Sequence, residues 1–163
     1  ILIESFIMLA EKNPDWDLYI VGDGIKMDDL QRQIDESGLN TRIVLQGKSD
    51  RVSDFYAKAH LFCLPSQWEG FPNALAEALA QGLPGVGFSG CAGVRELIQN
   101  GVTGRLAHGI NSVNSLSKAL TELMQDGTKR VQFGETARKT MLAYQPEQVF
   151  SRWGKLLLEC RSL

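Results

Sequence analysis

Short apolar runs alternate with longer amphipathic stretches along almost the whole chain, and this alternation constrains the fold more than any other feature. Trp16 to Val21, Arg42 to Leu45 and Leu61 to Leu64 read as strands, closed in turn by Gly22-Asp23-Gly24, Gly47 and Pro65. Residues 1–12 read as a helix stopped by Asn13-Pro14, and residues 26–37 as a second one ended by Gly38. Ser49 or Asp50 is expected to cap a short helix running to Lys58. Pro72 to Gln81 reads as a helix with Gly82 as its stop. A strand from Leu83 to Phe88 follows, weakened by Gly85 and Gly87. A helix over 92–99, a strand over 104–107 and helices over 112–126, 128–143 and 146–160 complete the pattern. Strands alternating with helices predict βαβ units, an α/β fold and a parallel sheet flanked by helices. In such sheets ligands bind at the carboxyl ends of the strands. Here those ends carry Gly22, Gly47, Pro65 to Glu69, and Ser89 to Gly93.

Composition narrows the function classes. A chain of 163 residues suffices for one domain with a core. A net charge of −2 lacks the basic excess a nucleic-acid binder needs. No apolar run approaches the ~20 residues of a membrane span. The first ten residues carry Glu4 and no basic stretch, unlike a secretory leader. Cys63, Cys91 and Cys160 are odd in number and far apart, which points to a reducing, cytoplasmic setting. The chain opens at Ile1, inside an amphipathic pattern formed by Ile1, Phe6, Leu9 and Ala10. That opening reads as part of a longer protein.

The chemistry concentrates between Pro65 and Glu77. Glu69 and Glu77 are separated by seven residues, with a Gly70-Phe71-Pro72 turn after the first. A proline at the first helical position makes Glu69 a loop residue and Glu77 a helical one. At ~100° per residue, Glu77 lies roughly 160° from the buried side marked by Leu75 and Leu79. Taken alone it is a solvated helical glutamate. Its facial neighbours Asn73, Ala74, Ala80 and Gln81 leave room for a ligand, and a carboxylate can accept two hydrogen bonds from a ribose diol. Glu69 either favours the helix dipole from a surface loop or accepts sugar hydroxyls near a reacting carbon. Gly70, Phe71, Asn73 and Ala74 offer backbone N–H groups that can cradle a phosphate, with a gap where Pro72 has none. A nucleotide-sugar has this shape: a charged middle with hydroxyls at both ends.

Other signals are weaker. Gly22-Asp23-Gly24 lacks a third glycine at Met27, so the dinucleotide fingerprint fails. Asp15-Trp16-Asp17 precedes a strand rather than ending one, which places it at the wrong sheet edge for a metal clamp. Gly85, Gly87, Gly90 and Gly93 make a loose loop that permits close backbone approach before Arg95 and Glu96. His60 and His108 have no visible partner, and His60 reads as structural.

In this order the motifs resemble the C-terminal donor-binding domain of retaining GT-B glycosyltransferases, in the large family 4 (glycosyl transferases group 1). The resemblance rests on Val21 to Gly24, Leu45-Gln46-Gly47, Leu64-Pro65-Ser66, Glu69 to Asn73 with Glu77, Gly82-Leu83-Pro84, Gly93 with Glu96, and Asn100 to Gly104. It implies a Rossmann-like domain over 1–163 that forms the C-terminal half of a GT-B fold, its acceptor domain lying outside this chain. It implies that Glu77 binds the ribose, that Glu69 meets the donor sugar as the catalytic carboxylate, and that the amides of Gly70, Phe71, Asn73 and Ala74 hold phosphate or sugar. Gly47 and Lys48 would lie beside the base, and Gly22 would be a further donor-binding position. It also implies retention of configuration, no cofactor and no required metal. The Gly70-to-Asn73 form resembles a subset that uses UDP-linked N-acetylhexosamines. The implied partners are a nucleotide-sugar and a glycan or lipid-linked acceptor, with peripheral contact at the inner face of a membrane. An epimerase of the same architecture and a non-catalytic nucleotide-sugar-binding module are the alternatives. The first would change a free nucleotide-sugar without an acceptor, and the second would turn nothing over.

Overall fold

The computed structural model describes residues 1–160. Its elements run in the order α1 (Leu2–Ala10), β1 (Leu18–Val21), α2 (Met27–Ser37), β2 (Ile43–Gly47), α3 (Val52–Lys58), β3 (Phe62–Leu64) and α4 (Asn73–Ala80). They continue with β4 (Gly85–Phe88), α5 (Ala92–Leu97), β5 (Gly104–Ala107), α6 (Val113–Gln125), α7 (Gly127–Met141), a 3₁₀ turn (Leu142–Tyr144) and α8 (Pro146–Cys160). Every expected strand and helix is present, and all strand pairs are parallel.

The single sheet expected from the alternation is divided. β1 pairs with β2, and β3, β4 and β5 form a separate ladder in that order. Both ladders nonetheless share one core. Ile3 and Phe6 of α1, Ile34 of α2, Ile43 of β2, Val86 and Phe88 of β4, and Leu116 and Leu123 of α6 are buried together. Leu18 and Ile20 of β1, with Leu61 and Cys63 beside and in β3, pack against that cluster while staying half-exposed. The α/β expectation therefore holds, with β1 and β3 each bonded to a neighbour strand on one side only.

Local chemistry explains most element ends. Gly38 closes α2 in the left-handed region at φ 70°. The Ser112 hydroxyl accepts from the Ser115 amide at 3.2 Å to cap α6, and Asp126 accepts from Lys129 at 2.8 Å to cap α7. Two expectations need correction. Arg51, not Ser49 or Asp50, precedes α3, because the Ser49 hydroxyl instead accepts from the Arg51 amide at 3.1 Å and shapes the turn before it. Pro72 stands outside α4 with ψ 90°, so the helix opens at Asn73.

Gly85 and Gly87 do not weaken β4, whose four residues are all buried. A side chain at Gly85 would meet Ile98 Cδ1 at 2.9 Å and Leu75 Cδ1 at 3.1 Å. The glycine lets residues of α4 and the end of α5 sit directly on the strand. At the other end of the chain, no side chain of α8 is buried, and Phe150, Trp153 and Leu157 are largely exposed. Among the described residues, no helix is long and apolar enough to cross a membrane.

Candidate functional site

The carboxyl ends of β1 and β2 meet through one hydrogen bond, from the Gly22 amide to the Gly47 carbonyl at 2.8 Å. Both glycines have positive φ, 138° and 70°, which side-chain-bearing residues rarely adopt. The Gly22 amide is thus engaged within the fold, and Lys48 beyond it is exposed.

The loop after β3 delivers Glu69, Gly70 and Phe71 to the start of α4. Glu69 is half-buried and Trp68 beside it is 86% exposed. The loop rests on the first turn of α5: a methyl at Gly93 would lie 2.7 Å from the Glu69 carbonyl oxygen and closer still to that of Gly70. The absent side chain at Gly93 is therefore what lets this loop sit where it does. The loose loop expected over Gly85, Gly87, Gly90 and Gly93 is not one loop: Gly85 and Gly87 lie in β4 and Gly93 lies in α5, where the close backbone approach occurs.

Helix α4 opens without a side-chain cap. The Pro72 carbonyl accepts from the Ala76 amide at 3.0 Å, so the amides of Asn73, Ala74 and Leu75 fall in the first turn, where no helical carbonyl is available. Such donors, with the positive end of the helix dipole, favour an anion. Asn73, Ala74 and Glu77 are exposed, while Leu75, Ala78 and Leu79 fix the buried side. The angular reading of this helix matches its burial.

Glu77 is held from below. The Tyr56 hydroxyl, on α3, lies 3.2 Å from Glu77 Oε2 and 3.2 Å from the Ala74 carbonyl oxygen. Tyr56 itself is buried, edge-on to Phe62 with ring centres 5.8 Å apart. Burial, then the Glu77 charge and hydrogen bond, push its phenol up to about 12. Sequence reading missed this residue, because its partner lies 21 positions away and no local pattern links them.

Phe71 stacks at a tilt on Tyr144, ring centres 5.4 Å apart. These two rings, Glu77, Arg152 and Trp153 line an open cavity of about 710 Å³ between α4 and α8. Of the predicted site residues, Phe71 and Glu77 line this cavity; Glu69, Gly47 and Lys48 do not. Tyr144 and Arg152 carry no sequence signal, since their place in this lining depends on how α8 returns past α4. A second depression of about 250 Å³ lies over Arg105 and Glu122, whose charges pair with each other. Away from both, Asp17 of the Asp-x-Asp segment pairs with Arg42 at 2.7 Å, and His60 stacks edge-on with Trp16 at 5.6 Å.

Comparison with known proteins places this geometry in context. The family model described as glycosyl transferases group 1 matches residues 1–140. An exopolysaccharide phosphotransferase of Streptomyces coelicolor is 34% identical over 96% of this chain, which spans 17% of that relative. A poly(glycerol-phosphate) alpha-glucosyltransferase of Bacillus subtilis is 27% identical over 93% of this chain, which spans 22% of it. Among solved structures, TarM of S. aureus, a mutant in complex with Fondaparinux, alpha-GlcNAc-glycerol and UDP, superposes with a TM-score of 0.86. That match covers 95% of this chain and 31% of the other at 22% identity. The chain thus spans less than a third of each of these three proteins.

Proposed function

Because the chain belongs to the glycosyl transferases group 1 family, we propose that it supplies the nucleotide-sugar site of a retaining glycosyltransferase of GT-B architecture. The observation that carries the reading is the uncapped start of α4, preceded by Glu69 and followed one turn later by Glu77. In this reading the amides of Gly70, Phe71, Asn73 and Ala74 hold the diphosphate, aided by the helix dipole. Glu77 accepts from the ribose diol. Glu69 accepts from hydroxyls of the donor sugar near its anomeric carbon. Gly47 and Lys48 border the base, next to Gly22.

The bond between the anomeric carbon and the diphosphate oxygen breaks, and the nucleoside diphosphate leaves with that electron pair. The acceptor oxygen bonds to the same carbon on the same face. Its proton passes to the departing phosphate. Amides aimed at the diphosphate stabilise the charge that grows on it, which is where such donors contribute most. The reaction asks for no cofactor, and cations of the intact protein would share the diphosphate charge. The presence of UDP in the TarM structure supports a UDP-linked donor. The exopolysaccharide phosphotransferase and the poly(glycerol-phosphate) alpha-glucosyltransferase among the relatives support a glycan or lipid-linked acceptor. In this reading the rest of a longer polypeptide meets that acceptor at a membrane surface on the cytoplasmic side.

The test is transfer by the full-length protein against a panel of UDP-, GDP- and ADP-sugars, with product stereochemistry read by NMR. Glu69→Ala and Glu77→Ala should each depress transfer strongly. Near-normal rates in both would sink the site. Conversion of a free nucleotide-sugar with no acceptor present would point to an epimerase instead.

A further inference from the structure

Glu77 is an exposed helical carboxylate, and such a side chain samples several rotamers in water. A group meant to receive two hydroxyls at fixed positions gains from being held before the ligand arrives. Tyr56 is placed to hold it. Its ring is locked in the core against Phe62, and its hydroxyl reaches up between α3 and α4 to within 3.2 Å of Oε2. The hydroxyl has one proton and two acceptors in reach. The Ala74 carbonyl is a neutral helical acceptor that can also take the amide four residues on. The carboxylate is charged and makes the stronger bond, so it takes the proton. That contact uses one lone pair of Oε2, and the other lone pairs of the exposed carboxylate remain for a ligand.

We propose that Tyr56 is a positioning residue for the nucleotide site, which fixes the Glu77 carboxylate in the orientation that receives a vicinal diol. The inference rests on the reading of Glu77 as the ribose acceptor. Tyr56 touches no substrate and acts only through Glu77. Its contribution therefore depends on the diol being present and on Glu77 being present. A residue that merely filled the core would weaken every ligand alike.

The experiment measures binding to the full-length protein by calorimetry. The probe is whichever of UDP, GDP and ADP the wild type binds most tightly, alongside its 2′,3′-dideoxy form. The variants are Tyr56→Phe, which keeps the ring in the core, Glu77→Ala and the double variant. Tyr56→Phe should bind the nucleotide on the order of tenfold more weakly, as loss of one hydrogen bond to a charged group implies. It should bind the dideoxy form as the wild type does, and it should add nothing on top of Glu77→Ala. With the corresponding nucleotide-sugar, KM should rise while kcat changes little. Glu77→Ala weakened but Tyr56→Phe unchanged would overturn this inference alone. Equal loss for both nucleotide forms would overturn it in favour of a packing role. An unchanged Glu77→Ala would overturn the ribose reading and this inference together.

Discussion

At the scale of single residues, the exposed and the buried halves of the site differ in how far sequence reveals them. The periodicity of Leu75 and Leu79 puts Glu77 on the exposed side of its helix, and it is exposed there. Tyr56 carries no comparable signal: an aromatic in a short helix reads as core, and it is core, with one polar atom turned to a distant partner. That atom makes a prediction. The chain has three tyrosines, and burial first and Glu77 second hold Tyr56 near 12, above its ordinary 10.0. An ultraviolet titration of the phenols should show one late step, and Glu77→Gln should move that step down. The raised value favours the protonated, folded form. This increment of stability is complete below pH 10 and is lost as pH rises from there through about 12. A late step that Glu77→Gln leaves in place would contradict the Tyr56–Glu77 contact.

At the scale of elements, contacts between backbones decide what local pattern cannot. Gly85 and Gly87 suggest a weak strand, yet β4 is wholly buried: Leu75 and Ile98 fill the space a side chain at Gly85 would take, and Val94 and the Leu64 carbonyl fill that at Gly87. Gly93 works the same way for the loop that carries Glu69: the carbonyls of Glu69 and Gly70 press on its α-carbon. Backbone on both sides leaves no flexible side chain to yield. Gly93→Ala should cost about 1–3 kcal/mol in denaturant unfolding. It should also weaken nucleotide binding by the full-length protein, because the loop carrying Glu69 must move. A variant that loses stability but keeps full affinity would separate that loop from the site. Asp126 makes the opposite case. Its side chain caps α7 far along the chain from Glu69 and Glu77, so Asp126→Ala should cost ~1 kcal/mol and leave transfer intact. The same region responds to acid. Burial alone would raise the Glu122 carboxyl, but hydrogen bonds from Lys129 and Arg105 outweigh it and hold it below its usual value. The tie of α6 to β5 and α7 is therefore present at neutral pH and lost as pH falls below the ordinary carboxylate range.

At the scale of the molecule, the alternation of strands and helices was fully legible, while the division of the sheet was not. Hydrophobic runs announce strands but say nothing about which strands bond. Among the described residues the two ladders leave edges on β1 and β3 that have no partner strand, although both strands belong to one core. Alternate amides along a strand point to opposite sides. The Leu18 amide bonds the Arg42 carbonyl toward β2, so that of Tyr19 points the other way. The Phe62 amide bonds the Pro84 carbonyl toward β4, so that of Cys63 points away from it. Cys63 makes the situation plain: burial pushes its thiol up to about 12, yet the residue as a whole is half-exposed. Its side chain belongs to the core and its backbone to an open edge. Open strand edges recruit other strands, either from the same polypeptide or from neighbouring molecules. In this 163-residue chain, hydrogen exchange at Tyr19 and Cys63 should be much faster than at Ile20 and Phe62, their ladder-bonded neighbours. A longer polypeptide that lays a strand between β1 and β3 should slow Tyr19 and Cys63 together and leave Ile20 and Phe62 as they were. The same addition should reduce self-association of the domain in light scattering. Equal protection at all four amides in the 163-residue chain would mean that the two edges are already closed against each other.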